Sequence, residues 1–116
     1  YRTEDLPRRL AGIDLLCAPA LWHEAFGLTV REALAAGRPV IVSRVGGLQD
    51  AVPGEAAGRV VGPGAVDELA NALRELTTDR HRLLDAARAA RALPIRGFAP
   101  MAAELATLYA SLVRRA

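Results

Sequence analysis

The chain has 116 residues, with 15 basic and 13 acidic side chains and a formal net charge of +2, a length that suits one domain. Hydrophobic residues make up 52%, too many for a disordered chain, and aromatics only 4%, too few for a platform that stacks single-stranded nucleic acid. Every basic residue is Arg and the arginines are interleaved with acids, which excludes a Schiff-base or phosphate-loop lysine and argues against a nucleic-acid-binding stripe.

Cys17 is the only cysteine. Its setting, IDLLCAP, predicts a buried apolar thiol in a chain suited to a reducing compartment, the cytoplasm. No apolar run approaches the ~20 residues of a membrane span. The first residues, YRTEDLPRRL, are charged and amphipathic, unlike a signal peptide, and they read as the middle of a domain.

In chain order, residues 4–11 predict a short helix, with Leu6 and Leu10 on one side and acids in the first turn. Residues 13–18 form an apolar run ended by Pro19, the pattern of a buried strand. After a loop over 20–26, a helix is predicted over 27–36 and stopped by Gly37. Residues 39–43 (PVIVS) are the clearest strand, with Pro39 at its first position. Residues 44–47 predict a turn, 48–52 one turn of helix, and 58–61 (GRVV) a third strand. Helices follow over 65–78, 80–92 and 100–114, the second of them broken by Pro94. Strands alternating with helices give an α/β fold with a parallel sheet and right-handed crossovers. About three strands are too few for a complete doubly wound sheet, so residues 1–116 read as one partial domain. They correspond to the second half of a Rossmann-like sheet, with flanking helices and a helical C-terminus.

Residues 23–50 carry the chemistry. A helix that starts near Gly27 presents unpartnered N–H groups and partial positive charge, and glycine lets a ligand approach the backbone closely. Glu32, one and a half turns into that helix, can accept two hydrogen bonds, a match for the adjacent hydroxyls of a ribose. The alternative is a solvated Glu or one paired with Arg31 or Arg38. Glu24, in the preceding loop, can act on a sugar hydroxyl or simply face the helix dipole. His23 is a loop histidine with the option of acting as a base. Gly46 and Gly47 follow the second strand and offer either a backbone N–H nest or only a tight turn. All of these residues follow strand C-termini, where open α/β sheets bind their ligands.

The string EAFGLTVREALAAGRPVI, with Glu24 and Glu32 eight positions apart, followed by GGLQD, resembles the C-terminal, donor-binding domain of the retaining glycosyltransferases of family GT4, which have the GT-B fold. GIDLLCAPALW and GRVVGPGAVDELANAL extend the resemblance over most of the chain. It implies that Glu24 lies against the donor sugar at the reaction centre. It implies that Glu32 holds the ribose hydroxyls, and that the backbone of Phe26, Gly27 and Leu28 contacts the diphosphate of a nucleotide-sugar. It further implies transfer with retention and without a metal. An Arg and a Lys for the diphosphate, and an acceptor-binding domain, would lie upstream of residue 1 and bring the enzyme to the inner membrane face; Arg31, Arg38 and Arg44 are the nearest cations here. Ala20, Ala25, Gln49 and Asp50 depart from the family's common residues, as does Phe98-Ala99-Pro100, which lacks a Trp. The resulting expectations are negligible activity of these residues alone and self-association through the edge of strand 13–18. A non-catalytic nucleotide-binding module of the same fold and a nucleotide-sugar epimerase are the alternatives.

Overall fold

The computed structural model describes residues 2–95 and 97–115. A 3-10 turn, Thr3–Asp5, leads into helix α1, Leu6–Ala11, with Pro7 in its first turn, where the missing N–H costs nothing. The chain continues through β1 (Leu16–Ala18), α2 (Leu28–Ala35), β2 (Val40–Ser43), α3 (Gly46–Asp50) and β3 (Gly58–Val61). Three helices complete it: α4 (Val66–Thr78), α5 (Arg80–Ala92) and α6 (Phe98–Arg115).

The three strands are parallel in the order β1-β2-β3, the sequential order expected for half of a doubly wound sheet. Leu16 is in register with Val40, and Val40 with Gly58. Every residue of β2 is buried, as a central strand covered on both faces requires. Its side chains alternate between two cores. Val40 and Val42 join Val30, Ala33, Leu34 and Leu48, beneath α2 and α3. Ile41 joins Val61, Ala72, Leu76 and Ala86, beneath α4 and α5.

α2 ends by a backbone motif that its sequence dictates. Gly37 takes a left-handed conformation (φ 71°), its N–H donates to Leu34 O at 2.8 Å, and Arg38 N–H donates to Ala33 O at 2.8 Å. These paired bonds satisfy the last carbonyls of the helix and aim the chain back toward β2.

Several boundaries differ from the sequence expectation for identifiable reasons. The first strand covers 16–18 rather than 13–18. Leu16 N–H donates to the carbonyl of Pro39, but Pro39 has no N–H to return and the chain before it is the α2 terminus, so residues 13–15 have no strand to pair with. Cys17 was expected to be buried and is exposed, on an edge strand that pairs on one side only. Partial burial of the sulfur still pushes the thiol above its ordinary pKa, so it is not an activated thiolate. α3 starts at Gly46 rather than at 48, since Leu48 N–H already closes a bond to Val45 O. α6 starts at Phe98 rather than at 100, with Pro100 accommodated in its first turn. Among the described residues, no helix is long and apolar enough to cross a membrane.

Candidate donor-binding site

The site begins with a contact between two backbones. The loop over 23–27 lies on the start of α3, and Gly47 N–H donates to Glu24 O at 2.6 Å. A Cβ on Gly47 would stand 2.5 Å from both Ala25 O and Phe26 Cα, so only glycine allows this approach. The ring of His23 rests against Gly46, which has φ 44°. Gly46 and Gly47 were expected to form a nest or a tight turn; they open α3 and pack against the 23–27 loop. The Gly47 N–H is spent inside the protein and is not left for a ligand.

Gly27 caps α2 in the left-handed region, at φ 68° and ψ 50°. A side chain there would be strained, and its Cβ would stand 2.9 Å from Leu48 Cδ2. The first backbone bond of α2 runs from Arg31 N to Gly27 O at 3.1 Å. The N–H groups that precede this bond have no place in the α-helical ladder and lie at the positive end of the helix dipole.

Two clefts adjoin this turn. One, of about 400 Å³, lies beyond the C-terminal end of β1 and is lined by Pro19, Trp22, Glu24, Gly27, Thr29 and Leu48, among others. The other, of about 540 Å³, lies between α2, α3 and the start of α6, and Phe26, Arg31, Glu32, Asp50 and Phe98 face it. Leu28 lines both. The structure thus brings Glu24, Gly27 and Leu28 together on one side of the α2 start and sets Phe26 and Glu32 on the other. Glu24 and Glu32 are each half-buried, and among the described residues neither side chain makes a hydrogen bond or an ion pair.

Of the sequence alternatives for Glu32, pairing with Arg31 or Arg38 is not realised. Arg31 Nε donates to Phe26 O at 3.1 Å, with its guanidinium 4.3 Å from the centre of the Phe26 ring. Arg38 donates through one terminal nitrogen to Ala11 O at 2.9 Å. Neither arginine is a counter-ion to a glutamate, and both are committed to backbone carbonyls. Sequence reasoning missed the bond from Arg31 to Phe26, and with it the contributions of Trp22, Thr29 and Asp50 to the cleft walls. The five-residue spacing from an aromatic to an arginine across a glycine cap was the available signal. Among the described residues, no group of three His, Cys, Asp or Glu side chains is placed to hold a metal ion.

Residues 1–93 match the family described as Glycosyl transferases group 1. The chain is 34% identical over 116 residues to the MMP alpha-(1->4)-mannosyltransferase of Mycolicibacterium hassiacum, an alignment that takes in 97% of this chain and 28% of that protein. The crystal structure of Anabaena Alr3699/HepE in complex with UDP superposes with a TM-score of 0.85 at 27% identity, over 95% of this chain and 30% of that one. Sucrose-phosphate synthase from Thermosynechococcus elongatus gives 0.83 at 30% identity, over 93% of this chain and 27% of that one. The chain therefore spans under a third of the length of these relatives. The three-stranded parallel sheet, its flanking helices and the match over residues 1–93 agree on one assignment: the chain belongs to the group 1 glycosyltransferases and has the Rossmann-like architecture of their GT-B fold.

Proposed function

We propose that these 116 residues form part of the donor site of an enzyme that transfers a sugar from a nucleoside diphosphate sugar to an acceptor, with retention at the anomeric carbon. The observation that carries this reading is the pair of half-buried carboxylates, Glu24 and Glu32, on either side of the Gly27 turn with no protein partner among the described residues. Both carboxylates keep contact with solvent at the cleft walls, so a ligand entering there meets acceptors that no protein group has taken among the described residues. In this reading Glu32 accepts from the ribose hydroxyls and the N–H groups of Phe26–Leu28 face the diphosphate. Glu24 faces the donor sugar and stabilises positive charge that develops at the anomeric carbon as the diphosphate leaves. The helix dipole of α2 supports the leaving group, with no metal in any of these roles. The UDP complex of the Anabaena relative supports a nucleoside diphosphate as the ligand class.

Arg31 and Arg38 keep their charge but are oriented by bonds to the carbonyls of Phe26 and Ala11, and neither lines the first cleft beside Gly27. We therefore propose that the 116 residues alone turn over negligibly and bind donor weakly, and that the remaining cationic and acceptor walls come from further sequence. We propose also that the outer edge of β1 pairs with another strand; in the isolated chain this gives self-association, visible by light scattering. Calorimetric titration with UDP, GDP and ADP tests the central reading, preferably on the protein as its gene encodes it. Saturable binding of one nucleotide that weakens in Glu32→Gln supports it, and binding indifferent to that change sinks it.

A further inference from the structure

We propose that Arg31 is a positioning residue: it latches the Phe26–Gly27 peptide so that the start of α2 stays open to an anion. This deepens the donor-site reading and rests on it for the identity of the anion.

Arg31 grips the turn at three points. Its backbone N–H takes Gly27 O, its side-chain Nε takes Phe26 O, and its guanidinium lies against the Phe26 ring. Two successive carbonyls are thus held by one residue. In a trans peptide the C=O and N–H point in opposite directions. Holding Phe26 O on Arg31 turns the Gly27 N–H away from Arg31, and Gly27 lines the first cleft.

The latch is needed because of Gly27. Glycine takes either sign of φ at little cost, so the peptide before it is free to rotate. Rotated, that peptide would present the Phe26 carbonyl, with its partial negative charge, where the N–H now stands. A bond from a cationic donor is stronger than one from a neutral donor and holds the carbonyl in place. The Phe26 ring is 51% exposed and has no apolar core to fix it, so the guanidinium stack also sets the ring at the wall of the second cleft.

Arg31 as a latch differs from Arg31 as a direct phosphate ligand, and substitutions separate the two. The probes are UDP, GDP and ADP, titrated into the protein as its gene encodes it. Arg31→Met removes the Nε donor and is expected to weaken the best-bound nucleotide about fivefold to tenfold at an unchanged melting temperature. Arg31→Lys keeps a charge in the cleft but lacks the planar Nε–H, and it is expected to bind as poorly as Arg31→Met. Phe26→Leu loses only the stack, with an expected loss of about twofold to fivefold. Backbone amide exchange at Gly27 and Leu28 is expected to speed up in Arg31→Met while the amides of β2 are unaffected. Wild-type affinity in Arg31→Lys, or in Arg31→Met, overturns the latch. If the wild-type protein binds none of the three nucleotides, the donor-site reading falls. The latch is then decided by amide exchange alone, where equal rates at Gly27 in wild type and Arg31→Met overturn it.

Discussion

The two ends of the sheet treat their acids in opposite ways. Beside β3, Glu75 of α4 accepts from Arg59 Nε at 3.0 Å and from Arg59 NH2 at 2.5 Å, and Arg82 of α5 approaches the same carboxylate at 3.5 Å. Asp79 caps α5 by accepting from His81 N at 2.8 Å and also faces Arg82. One strand and two helices are tied through these charges. At the start of α2, by contrast, the side chains of Glu24 and Glu32 make no hydrogen bond or ion pair among the described residues, while the backbone beneath them is held by Gly47 and by Arg31. Charge holds the fold at the first end. At the second, the backbone is held and the charge is left available, as the proposed donor site requires.

The sharpest way to break this contrast is to neutralise the available charges. Glu24→Gln is expected to lower turnover by about 100-fold or more while leaving stability within about 0.5 kcal/mol, because no protein contact is lost. Turnover assays beside thermal melts decide it. A variant with full activity removes Glu24 from the reaction centre, and one that is strongly destabilised makes it a structural acid. The next effect in size crosses from one class to the other. Gly47→Ala forces a Cβ into the backbone of Ala25 and Phe26, so it is expected to cost ~1–3 kcal/mol of stability and to weaken nucleotide binding at the same time. Denaturant melts and titrations on the same variant read both losses. Binding left intact would mean that the 23–27 loop does not need α3 to hold its shape.

Glu32→Gln has a smaller expected effect on turnover than Glu24→Gln. An amide still accepts one hydrogen bond but loses the charge and the second strong acceptor. Nucleotide affinity is expected to fall about tenfold, and by less for a 2′-deoxyribose analogue, which already lacks one of the donors. Equal losses for the ribose and deoxyribose forms, measured by calorimetry, would move Glu32 away from the ribose.

Much of the fold was legible in the sequence, and the reasons are local. PVIVS between Gly37 and the Gly46-Gly47 pair reads as a buried strand in any context, and the apolar stripe of α4 reads as a helix. The shortening of the first strand was not legible, because it depends on Val40 pairing with Leu16, which leaves Pro39, just before β2, as the last residue that β1 can bond to. Cys17 looked buried from its neighbours, yet its exposure is set by the sheet edge, a property of the whole assembly. Around the start of α2, the Gly27 cap and the placement of Glu24 and Glu32 on either side of it were legible from residue type and spacing. Their division between two clefts was not, since it depends on the direction in which α2 leaves the Gly27 cap. The bond from Arg31 to Phe26 O was not legible, because a sequence shows charges but not the carbonyls they reach.

The smallest expected effect probes the other end of the sheet. The Arg59 guanidinium holds the Glu75 carboxyl below its ordinary pKa, first through the hydrogen bonds and then through its charge, and Arg82 adds to this while partial burial opposes it. A carboxyl with a lowered folded-state pKa stabilises the fold above the unfolded value, about 4.3 for Glu, and that contribution is lost as pH falls through the folded value. Arg59 is shifted upward by the same bonds and stays charged throughout this range, so it adds nothing to the acid limb. Stability of the wild type is therefore expected to decline more steeply between about pH 5 and 3 than that of Glu75→Gln, with the two curves converging in acid. The Glu75 side chain is 36% exposed, and the water there screens the pair and keeps the difference modest. Nucleotide affinity at neutral pH is expected to be the same in both proteins. A change in affinity on Glu75→Gln would show that the two ends of the sheet are coupled, and that the separation between charges that hold the fold and charges left for a ligand is not as local as the geometry indicates.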